Sequence, residues 1–348
     1  MSEPWSGAPE PAFAPLTAPE LARATARGLA LVLVVLVTAA VFLPIRAAER
    51  VLRLGRPLTP RIASAAFAAI LGVLGLRRIA AGRPEGAALV ANHSSWLDIA
   101  ALYAGGPIFF VSKAEVADWP VVGPMTRLCG TLYIDRRRGE AARHRDLLAE
   151  RLREGGRLAF FPEGTSSDGQ RVLPFKTTLF AAFADPALRG TAIQPVGLRY
   201  VPPPGRAPEF HAWWGGMELA PHALRVLGAR TGGRVIVRYG APVAAGADRK
   251  ALARELEAEV RRLAEPASQP AIATRSALRA ASGSSVRQTS SPMANQSATG
   301  ASARTVASSS APSATTGSSI ISDHQAKSSA SARAPSPSAV APTGPKAT

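Results

Sequence analysis

The sequence is poor in cysteine, in aromatic residues and in acidic residues. Cys129 is the one cysteine among 348 residues, which excludes an internal disulfide framework and a cysteine-based zinc site. Lys and Arg number 41 against 24 Asp and Glu, so the net charge is +17, which suits nucleic acid or an anionic membrane. Aromatic residues form only 6% of the chain, and no nucleic-acid recognition motif is present. We therefore expect no nucleic-acid partner.

Composition divides the chain into four segments. Residues 266–348 consist mainly of Ser, Ala, Thr, Pro and Gly, with no Phe, Trp or Tyr and no hydrophobic period. Such a segment cannot bury a core, so we predict a disordered low-complexity tail. Before it we predict a flexible N-terminus over 1–27, a membrane-anchoring helical segment over 28–81 and a catalytic domain over 82–265.

The anchoring segment contains two apolar runs. Gly28 to Ile45 has no charged residue and approaches the length of about 20 residues that spans a bilayer core, so we predict a membrane helix. It is followed by basic residues, Arg46, Arg50, Arg53, Arg56 and Arg61, with Glu49 as the one acid among them. By the positive-inside rule this side is cytoplasmic. The second run, Ile62 to Leu76, is short for a span, and we expect it to lie shallow in the membrane.

The remaining segment alternates short apolar runs with amphipathic stretches, a pattern that is typical of an α/β domain. We predict strands over Gly86–Asn92, Ile108–Val111, Thr131–Ile134, Arg157–Phe161, Ala192–Tyr200 and Arg234–Tyr239. We predict helices over Trp96–Ala104, Gly139–Glu154, near Thr177–Phe183 and over Asp248–Ala264.

A histidine and an aspartate lie five positions apart after the first of these strands. His93 on a strand-to-helix turn would be exposed at the carboxyl end of the sheet, where α/β proteins bind ligands. Asp98 in the first turn of the next helix could contact one ring nitrogen and stabilise the charged imidazole. The pair is a candidate general base with its orienting acid. The alternative is a surface histidine beside an aspartate that merely matches the helix dipole.

Three other polar features lie in or at the ends of predicted strands. Glu163 follows a strongly apolar strand, and a buried carboxylate there predicts an ion pair with an arginine. Arg136 at another strand end suits a phosphate or a carboxylate. Pro195 lies inside a strand pattern, which indicates an edge strand, a bulge or a backbone shaped around a ligand.

Together these runs resemble a known family, the membrane glycerolipid acyltransferases typified by 1-acyl-sn-glycerol-3-phosphate acyltransferase. Its four ordered blocks are matched by NHSSWLD at Asn92 to Asp98, GTLYIDR at Gly130 to Arg136, FPEGTSS at Phe161 to Ser167 and IQPVGL at Ile193 to Leu198. The resemblance covers roughly Gly82 to Gly240, and four blocks in order are more specific than any one. It implies a mixed sheet flanked by helices, anchored to a bacterial-type inner membrane with the catalytic domain on the cytoplasmic face.

The resemblance also implies acyl transfer without a bound cofactor or metal. His93 would accept the proton of a lysolipid hydroxyl while Asp98 orients the ring. The hydroxyl oxygen would then attack the thioester of acyl carrier protein or coenzyme A. Arg136 would bind the anionic headgroup of the acceptor. The other residues implied to form the acceptor site are Glu163, Gly164, Thr165, Ser166 and Lys176.

One position departs from the family pattern. The third block usually carries an arginine after its threonine, whereas this chain has Ser166. A guanidinium offers phosphate a charged bidentate partner and a hydroxyl offers one neutral hydrogen bond, which weakens phosphate recognition here. The run Phe161 to Phe180 looks like the branch that acylates lyso-ornithine lipids, which lack phosphate, although Arg171 and Lys176 could supply the missing charge. Both acceptors stay open, and 1-acyl-sn-glycerol-3-phosphate is favoured because more of the family uses it.

Two other classes of protein compete with this interpretation. A membrane-bound thioester hydrolase could use the same base to activate water, but its site must admit water where a transferase excludes it. A catalytically silent membrane scaffold gives no reason for His93 and Asp98 to accompany Glu163 and Arg136.

Overall fold

The structure is a computed structural model that describes residues 4–118, 122–134 and 141–266. Of the segment over 266–348 it describes only the first residue, so the predicted tail lies outside the described residues. Arg136 lies outside them as well.

The described residues form one sheet with helices around it. The helices are α1 (Ala18–Val51), α2 (Thr59–Val73), α3 (Leu97–Tyr103), α4 (Val122–Cys129), α5 (Ala141–Arg153), α6 (Leu219–Gly228) and α7 (Arg249–Ala264). The strands are β1 (Arg77–Ala81), β2 (Ala88–Ala91), β3 (Phe109–Lys113), β4 (Leu132–Ile134), β5 (Leu158–Phe160), β6 (Ala192–Val201), β7 (Arg234–Tyr239) and β8 (Val243–Ala244). Short 3-10 turns lie at Ala114–Asp118, Thr177–Phe180 and Ala182–Ala184.

The strand order is β1-β7-β6-β2-β5-β3-β4, with β8 paired to β6. Strand β6 runs antiparallel to β7 and β8, whereas the pairs among β6, β2, β5, β3 and β4 are parallel. The predicted mixed sheet flanked by helices is therefore confirmed. Because β2, β5 and β3 are parallel neighbours, the loops after them meet at one edge of the sheet, where ligand sites of such sheets form.

Strand β1 belongs to the sheet, although its residues lie before the predicted boundary at residue 82. Strand β1 pairs with β7 from Arg77 opposite Arg234 to Ala81 opposite Arg238. The sequence of β1 gives no apolar strand pattern, because two of its five residues are arginines.

Helix α2 also packs against the domain. Its residues Ala63, Phe67 and Leu71 are buried, and the Phe67 ring stacks on that of Tyr103 in α3 at 4.5 Å. The second apolar run was predicted to lie shallow in the membrane, but this face of it contacts protein.

Helix α1 is the one described helix that is long and apolar enough to cross a membrane, with a mean hydropathy of 2.8 in its most apolar window. It contacts the domain at both ends. Arg23 and Arg27 donate to the carbonyl oxygens of residues 227–229 at the end of α6, and Phe42 is buried in the same hydrophobic cluster as α2. The opposite face of α1 exposes large apolar side chains, among them Leu29, Leu33 and Leu36.

Residues 4–17 lie against the domain, where the sequence predicts a flexible segment. Trp5 and Phe13 pack on a small cluster that contains Trp214 and Met217. The indole N–H of Trp214 also donates to the carbonyl oxygen of Ala8 at 3.4 Å. Two aromatic side chains in a stretch rich in proline and alanine form this contact, and they show no period from which packing could be predicted.

Pro195 lies in an interior strand and not at an edge. Strand β6 pairs with β8 at residues 192 and 193 and with β7 from Val196 onward. Pro195 lies between these two stretches, where the neighbour of β6 changes from β8 to β7. A proline, which lacks a backbone N–H, therefore interrupts no regular row of hydrogen bonds on this side of β6.

The side chain of Gln194 connects β6 to two loops. It is 2% exposed, and its Oε1 accepts the backbone N–H groups of Glu85 and Gly86 at 2.8 and 3.0 Å. Its Nε2 donates to the carbonyl oxygens of Arg83 and Gly240 at 3.1 and 2.9 Å. All four hydrogen-bonding positions of the amide are therefore used.

Replacing Gln194 with alanine is expected to lower the thermal unfolding midpoint in detergent. The change leaves buried backbone groups without partners, at a cost of at least about 3 kcal/mol, or about 6 °C or more for a domain of this size. Gln170→Ala, at an exposed position, is the matched control and should leave the midpoint unchanged. Equal midpoints for the two variants would show that the Gln194 contacts do not stabilise the fold.

Candidate active site

The turn between β2 and α3 brings the predicted pair together. His93 Nδ1 lies 2.8 Å from Asp98 Oδ2. The His93 side chain is 20% exposed and that of Asp98 is fully buried. In a continuous helix two residues five apart would point in different directions, but His93 precedes α3 and lies on the turn. With Nδ1 facing the carboxylate, the other ring nitrogen can accept a proton from the cleft.

Four donors surround the Asp98 carboxylate. His93 Nδ1 and the backbone N–H groups of Ser94 and Ser95 contact Oδ2 at 2.8, 2.7 and 2.9 Å. The Tyr200 hydroxyl donates to Oδ1 at 2.8 Å from the end of β6. No motif in the sequence identifies Tyr200 as a site residue, because only the order of the strands shows that β6 lies beside β2.

The loop after β5 holds the His93 turn. The His93 ring stacks on that of Phe161 at 4.1 Å with an angle of 9° between the planes. The His93 backbone N–H donates to Glu163 Oε1 at 2.8 Å, and the His93 carbonyl oxygen accepts the N–H of Ser167 at 3.0 Å. The imidazole is therefore fixed by its ring, by its backbone and by Asp98.

Glu163 is satisfied by backbone groups, which corrects the predicted ion pair with an arginine. It is 1% exposed, and its second oxygen accepts the N–H of Leu173 at 3.0 Å. No described arginine lies within ion-pair distance of it. Burial raises the pKa of Glu163 to about 8, although its two backbone donors act in the opposite direction. Glu163 is not among the described residues that line the cleft, so its contacts order two loops.

A cleft of about 760 Å³ opens beside His93. One wall is apolar and includes Val111, Phe160, Phe161 and Leu179. Charged groups of the cleft include Lys113, Arg145 and Asp185. The Lys113 ammonium donates to the carbonyl oxygen of Gly164 at 2.8 Å, and Arg145 pairs with Asp185 at 3.2 Å. Sequence reasoning missed Lys113, although its place at the end of an apolar strand was a usable signal.

The predicted acceptor residues fall into two groups. Gly164, Thr165 and Ser166 line the cleft, whereas Lys176 is not among the described lining residues. Gly164 has a φ of +69°, and an added Cβ would lie 3.0 Å from the Lys176 ammonium nitrogen. A glycine therefore suits this position on both grounds. Arg136 lies outside the described residues, so its position relative to the cleft stays a prediction.

Arg171, which could have replaced the missing arginine, is engaged elsewhere. Its guanidinium contacts both carboxylate oxygens of Asp168 at 3.2 and 2.9 Å. It also lies over the Trp5 ring at 5.2 Å. Because Arg171 forms a bidentate ion pair with Asp168, its positive charge is largely neutralised and is not available to a ligand near Ser166.

Glu163→Gln is expected to remove part of the pH dependence of stability. The folded-state pKa near 8 exceeds the ordinary value of 4.5, so the stability contributed by protonated Glu163 is full below about pH 4.5 and is lost as pH rises through about 8. The wild-type unfolding midpoint should fall by about 5 °C or more across this window, and the fall should be smaller in the variant. Glu255→Gln, at an exposed position, should retain the wild-type slope. Parallel slopes for all three proteins would contradict the raised pKa.

Known proteins that are similar in sequence identify the family of this chain. The Acyltransferase family model matches residues 75–199. A lyso-ornithine lipid O-acyltransferase of Rhodobacter capsulatus is 43% identical over 268 residues, which cover 75% of this chain and 97% of that protein. A 1-acyl-sn-glycerol-3-phosphate acyltransferase of Neisseria gonorrhoeae is 38% identical over 142 residues, which cover 40% of this chain and 54% of that protein.

One solved structure is also similar. The crystal structure of the 1-acyl-sn-glycerophosphate acyltransferase PlsC from Thermotoga maritima matches 69% of this chain and 95% of its own, with a TM-score of 0.44 and 21% identity. The similarity to the Rhodobacter protein over nearly its whole length confirms the resemblance that the four sequence blocks indicated. This chain belongs to the acyltransferase family.

Proposed function

We propose that this acyltransferase acylates the hydroxyl of a lyso-ornithine lipid, using the thioester of acyl carrier protein or coenzyme A as the donor. The observation that carries the proposal is Ser166 in the wall of the cleft, at the position where the phosphate-acylating branch has an arginine. Arg171 does not compensate, because it is paired with Asp168. The relatives support the same acceptor, since the lyso-ornithine lipid enzyme of Rhodobacter capsulatus aligns over 97% of its length.

In this reaction His93 removes the proton from the acceptor hydroxyl. The hydroxyl oxygen attacks the thioester carbon, and the tetrahedral intermediate collapses with loss of the thiolate. The imidazolium returns the proton to that sulfur, so the enzyme ends as it began. Asp98 stabilises the imidazolium while it exists, because its buried carboxylate contacts Nδ1 at 2.8 Å.

The cleft supports both substrates of such a transfer. Its apolar wall, with Val111, Phe160 and Leu179, suits an acyl chain, and burial of that chain excludes water from the thioester. Lys113 lies on the same cleft and supplies a positive charge that suits the carboxylate of an ornithine headgroup. The chemistry needs no bound cofactor, since the donor arrives already activated as a thioester.

We place the domain on the cytoplasmic face of the inner membrane. The exposed apolar face of α1 suits lipid, and the corner between α1 and α2 carries exposed apolar residues beside arginines. The exposed residues at this corner are Val51, Leu52, Leu54 and Leu58. A basic flank next to an apolar helix is typical of the cytoplasmic side.

The second candidate acceptor is 1-acyl-sn-glycerol-3-phosphate, which the sequence alone favoured. Lys113 in the cleft could pair with a phosphate as well as with a carboxylate. The Neisseria gonorrhoeae relative carries this acceptor in its name but aligns over only 54% of its length. A thioester hydrolase is the remaining alternative, and it would release free fatty acid without any acceptor.

His93→Ala is expected to reduce acyl transfer by about 100-fold to 10,000-fold, because the general base is lost. Detergent-solubilised protein would be given labelled acyl carrier protein with lyso-ornithine lipid and, in parallel, 1-acyl-sn-glycerol-3-phosphate, and the products would be resolved. The variant should still fold and remain attached to the membrane. His324→Ala, in the predicted tail, is the control and should keep full activity. Near wild-type turnover by His93→Ala would exclude it as the base.

Ser166→Arg is expected to move acceptor preference toward phosphate. The new guanidinium can form a bidentate pair with a phosphate monoester, so kcat/KM for 1-acyl-sn-glycerol-3-phosphate should rise about tenfold relative to lyso-ornithine lipid. Ser166→Gln adds a long neutral side chain and should give no such gain. If the ratio of the two acceptors is the same in wild type and Ser166→Arg, position 166 does not select the headgroup.

A further inference from the structure

The Asp98 carboxylate receives its donors from two parts of the fold. His93, Ser94 and Ser95 belong to the same turn and all contact Oδ2. Oδ1 receives one hydrogen bond from the described residues, from the hydroxyl of Tyr200 at 2.8 Å. Tyr200 is therefore the contact that ties the buried carboxylate to β6, across a separation of 102 residues along the chain.

The charge balance around Asp98 makes this hydroxyl important. Among the described residues, His93 is the one group that can carry positive charge within ion-pair distance of Asp98. A buried carboxylate without a permanent cation depends on its hydrogen bonds for compensation. Each donor also disperses the negative charge and so reduces the attraction of Oδ2 for the Nδ1 proton of His93.

We propose that Tyr200 is a positioning residue that fixes the Asp98 carboxylate and sets the pH at which His93 can act as a base. The proposal rests on the proposed role of His93 in acyl transfer. Without the Tyr200 hydroxyl, the charge on Asp98 is less dispersed and holds the imidazolium more strongly. The free base then forms at higher pH, and the acid limb of the activity profile moves upward.

Other titratable groups face this cluster and remain the same in every variant. The His211 ring stacks on that of Tyr200 at 5.1 Å, and burial lowers the pKa of His211 to about 4, so it stays neutral above about pH 5. Glu163 contacts the His93 backbone, and Lys113 contacts the neighbouring Gly164. Because these groups act equally on all proteins compared, a difference between variants reports on the Tyr200 hydroxyl.

The test compares kcat and KM of wild type, Tyr200→Phe and Tyr103→Phe from pH 5.5 to 9, with the acceptor that the wild type acylates. For Tyr200→Phe we expect kcat to fall about tenfold at neutral pH, with an acid limb about one pH unit higher and an acceptor KM within about twofold of wild type. Tyr103 is buried in the same hydrophobic cluster and contacts neither His93 nor Asp98, so Tyr103→Phe should keep the wild-type profile.

A second variant tests the opposite direction and retains the hydroxyl and the ring. Site-specific 3-fluorotyrosine at position 200 makes the phenol a stronger donor, which should move the acid limb to lower pH. An acid limb that stays at the wild-type pH in both position-200 variants would overturn the proposal, even if Tyr200→Phe lowers the unfolding midpoint. Failure of the acyl-transfer proposal is separate, because it would appear as a lack of transfer by the wild type to either acceptor.

Discussion

The fully buried Asp98 carboxylate is the group on which the geometry of the site depends. A negative charge at that depth needs a complete set of donors, and these come from the turn after β2 and from the end of β6. The two strands must therefore be neighbours in a fixed register. Asn92 secures that register, since its side chain donates to the Leu198 carbonyl oxygen at 2.9 Å and accepts the Leu198 N–H at 2.7 Å. Tyr200, two residues further on, is then placed at Asp98.

Glu163 is a second buried acid, and its side chain contacts the other side of the same turn. One of its oxygens accepts the backbone N–H of His93, and the other accepts the backbone N–H of Leu173. Both acids thus bind the backbone or side chain of His93, one through Nδ1 and one through the peptide nitrogen. His93 is held between two carboxyl groups, although only the one beside the ring could stabilise a charged imidazole directly.

The parts of the fold that local pattern determines were predictable from the sequence. Apolar runs located β2, β5 and β7, and the block spacing brought His93 and Asp98 to one turn. Contacts across the sheet were not predictable, because strand order is absent from a single sequence. Tyr200 reaches the site only through such a neighbour, and the partners of Glu163 are backbone groups that no side-chain motif identifies. The sequence left three explanations open for Pro195 for the same reason, since its strand exchanges neighbours at that residue.

The two attachments of α1 to the domain bear on how the enzyme meets its substrate. Arg23 and Arg27 hold one end of the helix to α6, and Phe42 is packed into the core near the other, so the exposed apolar stripe of α1 is fixed relative to the cleft. With the proposed membrane position of that stripe, the cleft would lie at a fixed height above the lipid. The rate is then expected to depend on the mole fraction of the acceptor among the surrounding lipids, and added inert lipid would lower it.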